Sequence, residues 1–123
     1  MHFASDNWSG AHPNIMAALA RANEGHAPSY GGDALTKRVE ATFCEIFERE
    51  VAVFFVATGG AANALALSQL CPPWGMIPCH EESHIQMDEC GAPEFMTGGA
   101  KLLPIPGFAG KLTPDAVRAA LAG

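Results

Sequence analysis

Thr58-Gly59-Gly60-Ala61-Ala62-Asn63 is the stretch of this sequence whose residue types and spacing point most directly to chemistry. It follows an apolar run, Val51 to Val56, rich in β-branched and aromatic side chains. It opens a segment of helix formers that includes Ala62, Ala64, Leu65, Ala66, Leu67 and Leu70. A strand that turns through glycine into a helix start presents free backbone N–H groups and the positive end of the helix dipole, a seat for a phosphate. The plain alternative is a strand–helix connection that needs glycine to turn, and the turn taken alone is compatible with both. Further along, Cys71, Cys79, His80, His84 and Cys90 are all potential zinc ligands. Their spacing matches no compact zinc motif, and no Cys-x-x-Cys pair occurs, so a small metal-binding α/β module is a weaker alternative, beside a non-catalytic one that folds only by association with itself or a partner.

The elements that must position these residues follow from periodicity. Residues 1 to 13 read as an irregular arm. Asn14 to Glu24 predicts a short helix with Ile15, Leu19 and Ala22 on one face and Gly25 as its stop. After the turn-rich loop His26 to Gly32, Asp33 caps a helix to about Arg49, on which Leu35, Val39, Phe43, Ile46 and Phe47 recur at spacings of three or four. The buried strand Val51 to Val56, the glycine turn and an apolar helix come next, and Cys71-Pro72-Pro73 ends that helix. Met76 to Cys79 is predicted as a second short strand and Lys101 to Ile105 as a third. Between them His80 to Gly91 is a polar loop opening a short helix, with Glu81, Glu82, Asp88 and Glu89 as a solvated acidic face. Asn63 is expected to bond locally to backbone near the turn. Thr113-Pro114-Asp115 starts the last helix, with a cap, a proline at the first position and an acid in the first turn. Alternating strands and helices predict an α/β fold with a largely parallel sheet.

With 123 residues, 49% of them hydrophobic and only 16% charged, the chain is apolar for a small monomer. Its surface is expected to be covered by other protein, or the chain to be the start of a longer one. A net charge of −6 argues against nucleic acid or an anionic membrane as partner. No apolar run nears the length that spans a bilayer, and the opening MHFASDNWSG lacks a basic n-region followed by an apolar h-region. The four cysteines fit reduced thiols in the cytoplasm.

Ser5-Asp6-Asn7, Tyr30-Gly31-Gly32-Asp33, Thr58-Gly59-Gly60-Ala61-Ala62-Asn63 and His84 fall in the order and spacing of one family. The chain resembles the N-terminal portion of a threonine aldolase, in the β-eliminating lyase group of pyridoxal-phosphate enzymes. CEIFEREVAVFFVATGGAANALALS and DECGAPEF are similar to the phenylserine aldolase branch. The resemblance covers essentially the whole chain. It implies the aspartate-aminotransferase-like architecture (fold type I), whose large α/β domain has a mostly parallel sheet and flanking helices. Residues 1–49 would form an N-terminal arm and helices, and residues 50–123 the start of the cofactor-binding large domain. It also implies pyridoxal 5′-phosphate as cofactor and cleavage of a β-hydroxy-α-amino acid, of threonine or phenylserine type, to glycine and an aldehyde. The parent would be a homodimer or homotetramer.

By the same resemblance, the backbone N–H groups of Gly59, Gly60 and Ala61 hold the phosphate. Gly60 departs from the hydroxyl residue often found there, so one side-chain donor is missing. His84 matches the histidine that stacks on the pyridine ring, and imidazole can also take the substrate β-hydroxyl proton. Ser5 lies near the substrate carboxylate, Asp6 helps to shape the site, and Tyr30 reaches the neighbouring subunit's site. The family's lysine for the cofactor aldehyde and its Asp-Gly-x-Arg stretch belong to later motifs. Lys37, Lys101 and Lys111 sit in unrelated contexts, so this chain alone is expected to be inactive. Aminotransferases and tyrosine phenol-lyase relatives share the turn but usually carry an aromatic where His84 stands.

Overall fold

In the computed structural model, which describes residues 8–122, the chain forms two compact units, divided between Val53 and Phe54. The first contains two helices. In α1 (Pro13–Ala22), His12 caps the N-terminus by accepting from the Asn14 N–H, and a proline occupies the first turn. In α2 (Ala34–Ile46), Asp33 accepts from the Thr36 N–H at 2.8 Å and from its hydroxyl at 2.6 Å. These two bonds hold the Asp33 carboxyl below its ordinary value. Phe43 and Phe47, one turn apart, stack with ring centroids 6.2 Å apart. The expected apolar faces are present on both helices, yet neither has a buried residue.

The second unit holds α3 (Gly59–Leu70), β1 (Met76–His80), α4 (His84–Met87), α5 (Ala92–Thr97), β2 (Lys101–Ile105), a 3-10 turn (Phe108–Gly110) and α6 (Pro114–Ala122). β1 and β2 pair in parallel, Met76 opposite Lys101 through to His80 opposite Ile105. A parallel pair needs a crossover, and the segment with α4 and α5 provides it. The core lies where this sheet meets the helices: Ala64, Ile77, Cys79, Pro93, Ala100 and Ile105 are buried. α5 hands the chain to β2 through Gly98 and Gly99, whose φ values of 75° and 132° a side chain rarely tolerates. The Thr97 hydroxyl donates to the Pro93 carbonyl and accepts from the Ala100 N–H, so the buried turn is satisfied. At the end of β1, His80 accepts from the Glu82 N–H at Nδ1. Its Nε2 therefore carries the proton and donates to the Gly107 carbonyl at 3.0 Å.

Two local expectations are corrected. Val51 to Val56 is not a strand. It pairs with neither β1 nor β2, and the Val51 N–H is taken by Cys44 Sγ at 3.5 Å. A β-rich run without a neighbour to complete its ladder does not become a strand. The second correction is an added element, α5, in a stretch the sequence left unassigned.

Candidate functional site

Thr58 ends the irregular segment in extended backbone and caps α3, its Oγ1 accepting from the Ala61 N–H at 3.1 Å. Gly59 and Gly60 are the first two residues of the helix, and neither has a positive φ. Glycine is therefore not there to make the turn, as the plain alternative supposed; what it does is leave the helix end open. A Cβ at Gly59 would meet nothing within 4 Å, and one at Gly60 would have Glu89 as its nearest neighbour, at 3.6 to 3.8 Å. The Gly59 and Gly60 N–H groups have no intrahelical acceptor. The Ala61 N–H already serves the cap. The Thr58 hydroxyl keeps its own proton free to donate outward.

The carboxylate beside this helix end is Glu89. Its side chain is 3% exposed, so it is no part of a solvated face. Oε1 accepts from Asn63 Nδ2 at 2.7 Å and from His84 Nδ1 at 2.8 Å. Asn63 thus bonds across 26 positions to a carboxylate rather than locally to backbone. Oε2 is buried with no hydrogen-bond partner among the described residues. The Asn63 bond and then the His84 bond hold the Glu89 carboxyl below its ordinary value, against the opposing effect of burial. Glu89 is therefore ionised near neutral pH and can only accept, which puts the proton of neutral His84 on Nδ1. The His84 side chain is 65% exposed, and its Nε2 has no partner among the described residues.

Gly60 and His84 are thus brought together around one buried carboxylate, with Gly59 next to Gly60 at the helix start. His84 and Glu89 follow the carboxyl end of β1, the side on which ligands bind in parallel α/β sheets. These residues fit a phosphorylated, flat-ringed cofactor: unpaired amides at an uncrowded helix end, a hydroxyl beside them, and an exposed imidazole held by one edge. Tyr30 belongs to the first unit, fully exposed, with a left-handed φ of 56° that bulky residues seldom adopt. Ser5 and Asp6 lie outside the described residues.

Thr58 and Asn63, both inside the motif quoted above, and Glu89 are site residues to which the sequence assigned no role in the site. A Thr directly before two glycines at a helix start was a readable cap signal. Nothing local marked Glu89 among its acidic neighbours. Among the described residues no three His, Cys, Asp or Glu side chains converge on a metal-binding geometry. All four cysteines are free. No helix of the described residues is long and apolar enough to cross a membrane.

A family model described as "Beta-eliminating lyase" matches residues 2–123. Two proteins named low specificity L-threonine aldolase, from Pseudomonas sp. (strain NCIMB 10558) and Pseudomonas aeruginosa, are each 48% identical over 116 residues, covering 94% of this chain and 34% of their own length. A solved structure of Leishmania major threonine aldolase superposes with a TM-score of 0.79 at 30% identity, covering 94% of this chain and 33% of that one. The chain spans about a third of the length of the curated relatives it matches.

Proposed function

The chain belongs to the β-eliminating lyase family, and from that premise we propose that it supplies the phosphate seat and the ring-facing histidine of a pyridoxal-phosphate-dependent aldolase. The substrate class is a β-hydroxy-α-amino acid of threonine or phenylserine type, cleaved to glycine and an aldehyde. The observation that carries this reading is the pairing, through Glu89, of an uncrowded Gly59-Gly60 helix end with an exposed His84 ring.

Gly59 and Gly60 donate their N–H groups to the phosphate, with the helix dipole behind them, and the Thr58 hydroxyl supplies the side-chain donor that Gly60 lacks. Pyridoxal phosphate, when bound, provides the electron sink for the carbon–carbon cleavage. His84 would face its ring. With Nδ1 protonated, Nε2 offers its lone pair to the proton of the substrate β-hydroxyl, the proton whose removal starts cleavage. Ser5 serves the substrate carboxylate, Asp6 helps to shape the site, and Tyr30 reaches the site of a neighbouring subunit of a homodimer or homotetramer. The unusual backbone of Tyr30 supports a presenting role. Because Lys37, Lys101 and Lys111 match none of the family's aldehyde-binding context, the 123-residue chain alone is inactive.

The test is reconstitution of the full-length protein carrying these residues with pyridoxal phosphate, followed by aldehyde release from threonine and phenylserine. Cofactor absorbance with aldehyde production, reduced about 10²-fold or more in His84→Phe, is the expected result. A full-length protein that takes up no cofactor and releases no aldehyde overturns the reading. For the isolated chain, borohydride after incubation with the cofactor is expected to leave no stoichiometric lysine adduct.

A further inference from the structure

We propose that Glu89 is a positioning residue that selects the Nδ1–H tautomer of His84 and ties that ring to the phosphate-seating helix through Asn63. The proposal rests on the reading of His84 as the proton acceptor given above.

Three observations carry it. First, the two donors to Glu89 come from different elements, Asn63 from α3 and His84 from α4, and both meet the same oxygen. One atom thereby fixes the imidazole relative to the helix that begins at Gly59. Second, the other oxygen, Oε2, is buried with no partner among the described residues. A buried unpaired acceptor is a poor choice for stability, so a structural role alone does not account for a carboxylate here. Third, an ionised carboxylate has no proton to give. Neutral His84 must then carry its proton on Nδ1 and present a lone pair on Nε2, the only ring nitrogen still open. Without Glu89 the exposed ring is free to hold its proton on either nitrogen and to turn about its side-chain bonds. The Nε2–H form has no lone pair where the substrate proton has to go. Glu89 is also the nearest neighbour that a side chain at Gly60 would meet, at 3.6 Å, so the acid links the ring to the start of this helix.

The experiment is nitrogen-15 NMR of histidine-labelled full-length protein, with steady-state kinetics on Glu89→Gln, Glu89→Ala and Asn63→Ala. The ring-nitrogen shifts report which nitrogen carries the proton, whether or not the enzyme turns over. Expected are a single Nδ1–H tautomer for His84 in the wild type and loss of that preference in both Glu89 variants. Their kcat falls about 10²-fold, the lower end of what a general base contributes, while KM stays within about twofold because Glu89 touches no substrate. Glu89→Gln keeps the shape of the side chain. Asn63→Ala changes an exposed position, so it remains testable if the buried variants misfold; it is expected to keep the tautomer and lose less than about tenfold in kcat. An active wild type with His84 protonated on Nε2, or Glu89 variants with wild-type shifts and kcat, overturns the positioning role and leaves the aldolase reading standing. A full-length protein without cofactor uptake or aldehyde release instead sinks the reading on which this role depends.

Discussion

A Cβ added at Gly60 would approach the Glu89 carbons at 3.6 and 3.7 Å and Oε1 at 3.8 Å, ordinary contact distances. Gly60→Ser therefore fits, and it restores a hydroxyl beside the two open amides. Pyridoxal phosphate is expected to bind the full-length apo-protein about tenfold more tightly, since a hydrogen bond to a charged group is worth about 1.5 kcal/mol. Fluorescence titration measures it. Unchanged affinity would mean that the phosphate does not sit at this helix end. Glu89 makes a second expectation at the same scale. Its carboxyl lies below the ordinary 4.5 because Asn63 and His84 hydrogen-bond the ionised form. A lowered folded-state value stabilises the fold fully above the unfolded value and ceases to do so as pH drops through the folded one. Urea midpoints taken at about pH 6 and about pH 3 should consequently converge more in Glu89→Gln, which has no proton to gain, than in the wild type. Asp33, whose value is also lowered, titrates in both proteins and cancels. Equal acid losses in the two proteins would contradict the assignment. The sequence announced Gly59 and Gly60 by residue type at a helix start, and His84 only through its place in the family's order of motifs. It hid Glu89, whose importance comes from burial and from a bond to a residue 26 positions away.

Two elements owe their start or end to one residue each. α3 begins at the Thr58 cap. Thr58→Val removes the acceptor for the Ala61 N–H at nearly constant shape and is expected to cost about 1 kcal/mol of stability, whereas Thr58→Ser retains it. Chemical denaturation of the three proteins decides the matter. The connection after β2 depends on Gly107, where a Cβ would run into the Lys111 carbonyl and lie 2.8 Å from the His80 ring. Gly107→Ala must displace backbone or break the His80 bond, and a loss of about 2 kcal/mol or more is expected in the same measurement. α1, α2, α3 and α6 were legible because each has a cap or a clear period in its own residues, and β1 and β2 because each is a short apolar run bounded by turn residues. The run Val51 to Val56 misled because β propensity says nothing about whether a neighbouring strand is present. α5 went unread because six residues give too little period. Gly91 before it, Pro93 and Glu94 in its first turn and Gly98 after it were the available signals.

Across the molecule, large apolar side chains stay in water. Phe54, Phe55, Leu70, Trp74 and Phe95 are each 66% or more exposed. α3 is apolar on nearly all sides, yet among its residues only Ala64 is buried. One side, with Gly60 and Asn63, meets Glu89. Another, with Ala62, Leu65, Ala66 and Gln69, joins Phe54 to Val56 in lining an apolar cavity of about 690 Å³. A helix hydrophobic all round is the pattern of one enclosed by protein, and so much exposed apolar surface exceeds what single soluble chains usually carry. At about 25 cal/mol per Å², leaving these groups wet forgoes several kcal/mol of burial, comparable with the whole stability of a small domain. The 123-residue chain in isolation is accordingly expected to self-associate. Light scattering behind size exclusion should give a mass well above 12.9 kDa, and a dye that fluoresces on apolar surface should bind it more strongly than it binds the full-length protein. Replacing Phe54 and Phe55 together by serine should shift the isolated chain toward monomer. A stable, dye-silent monomer would show that these side chains find cover within the chain.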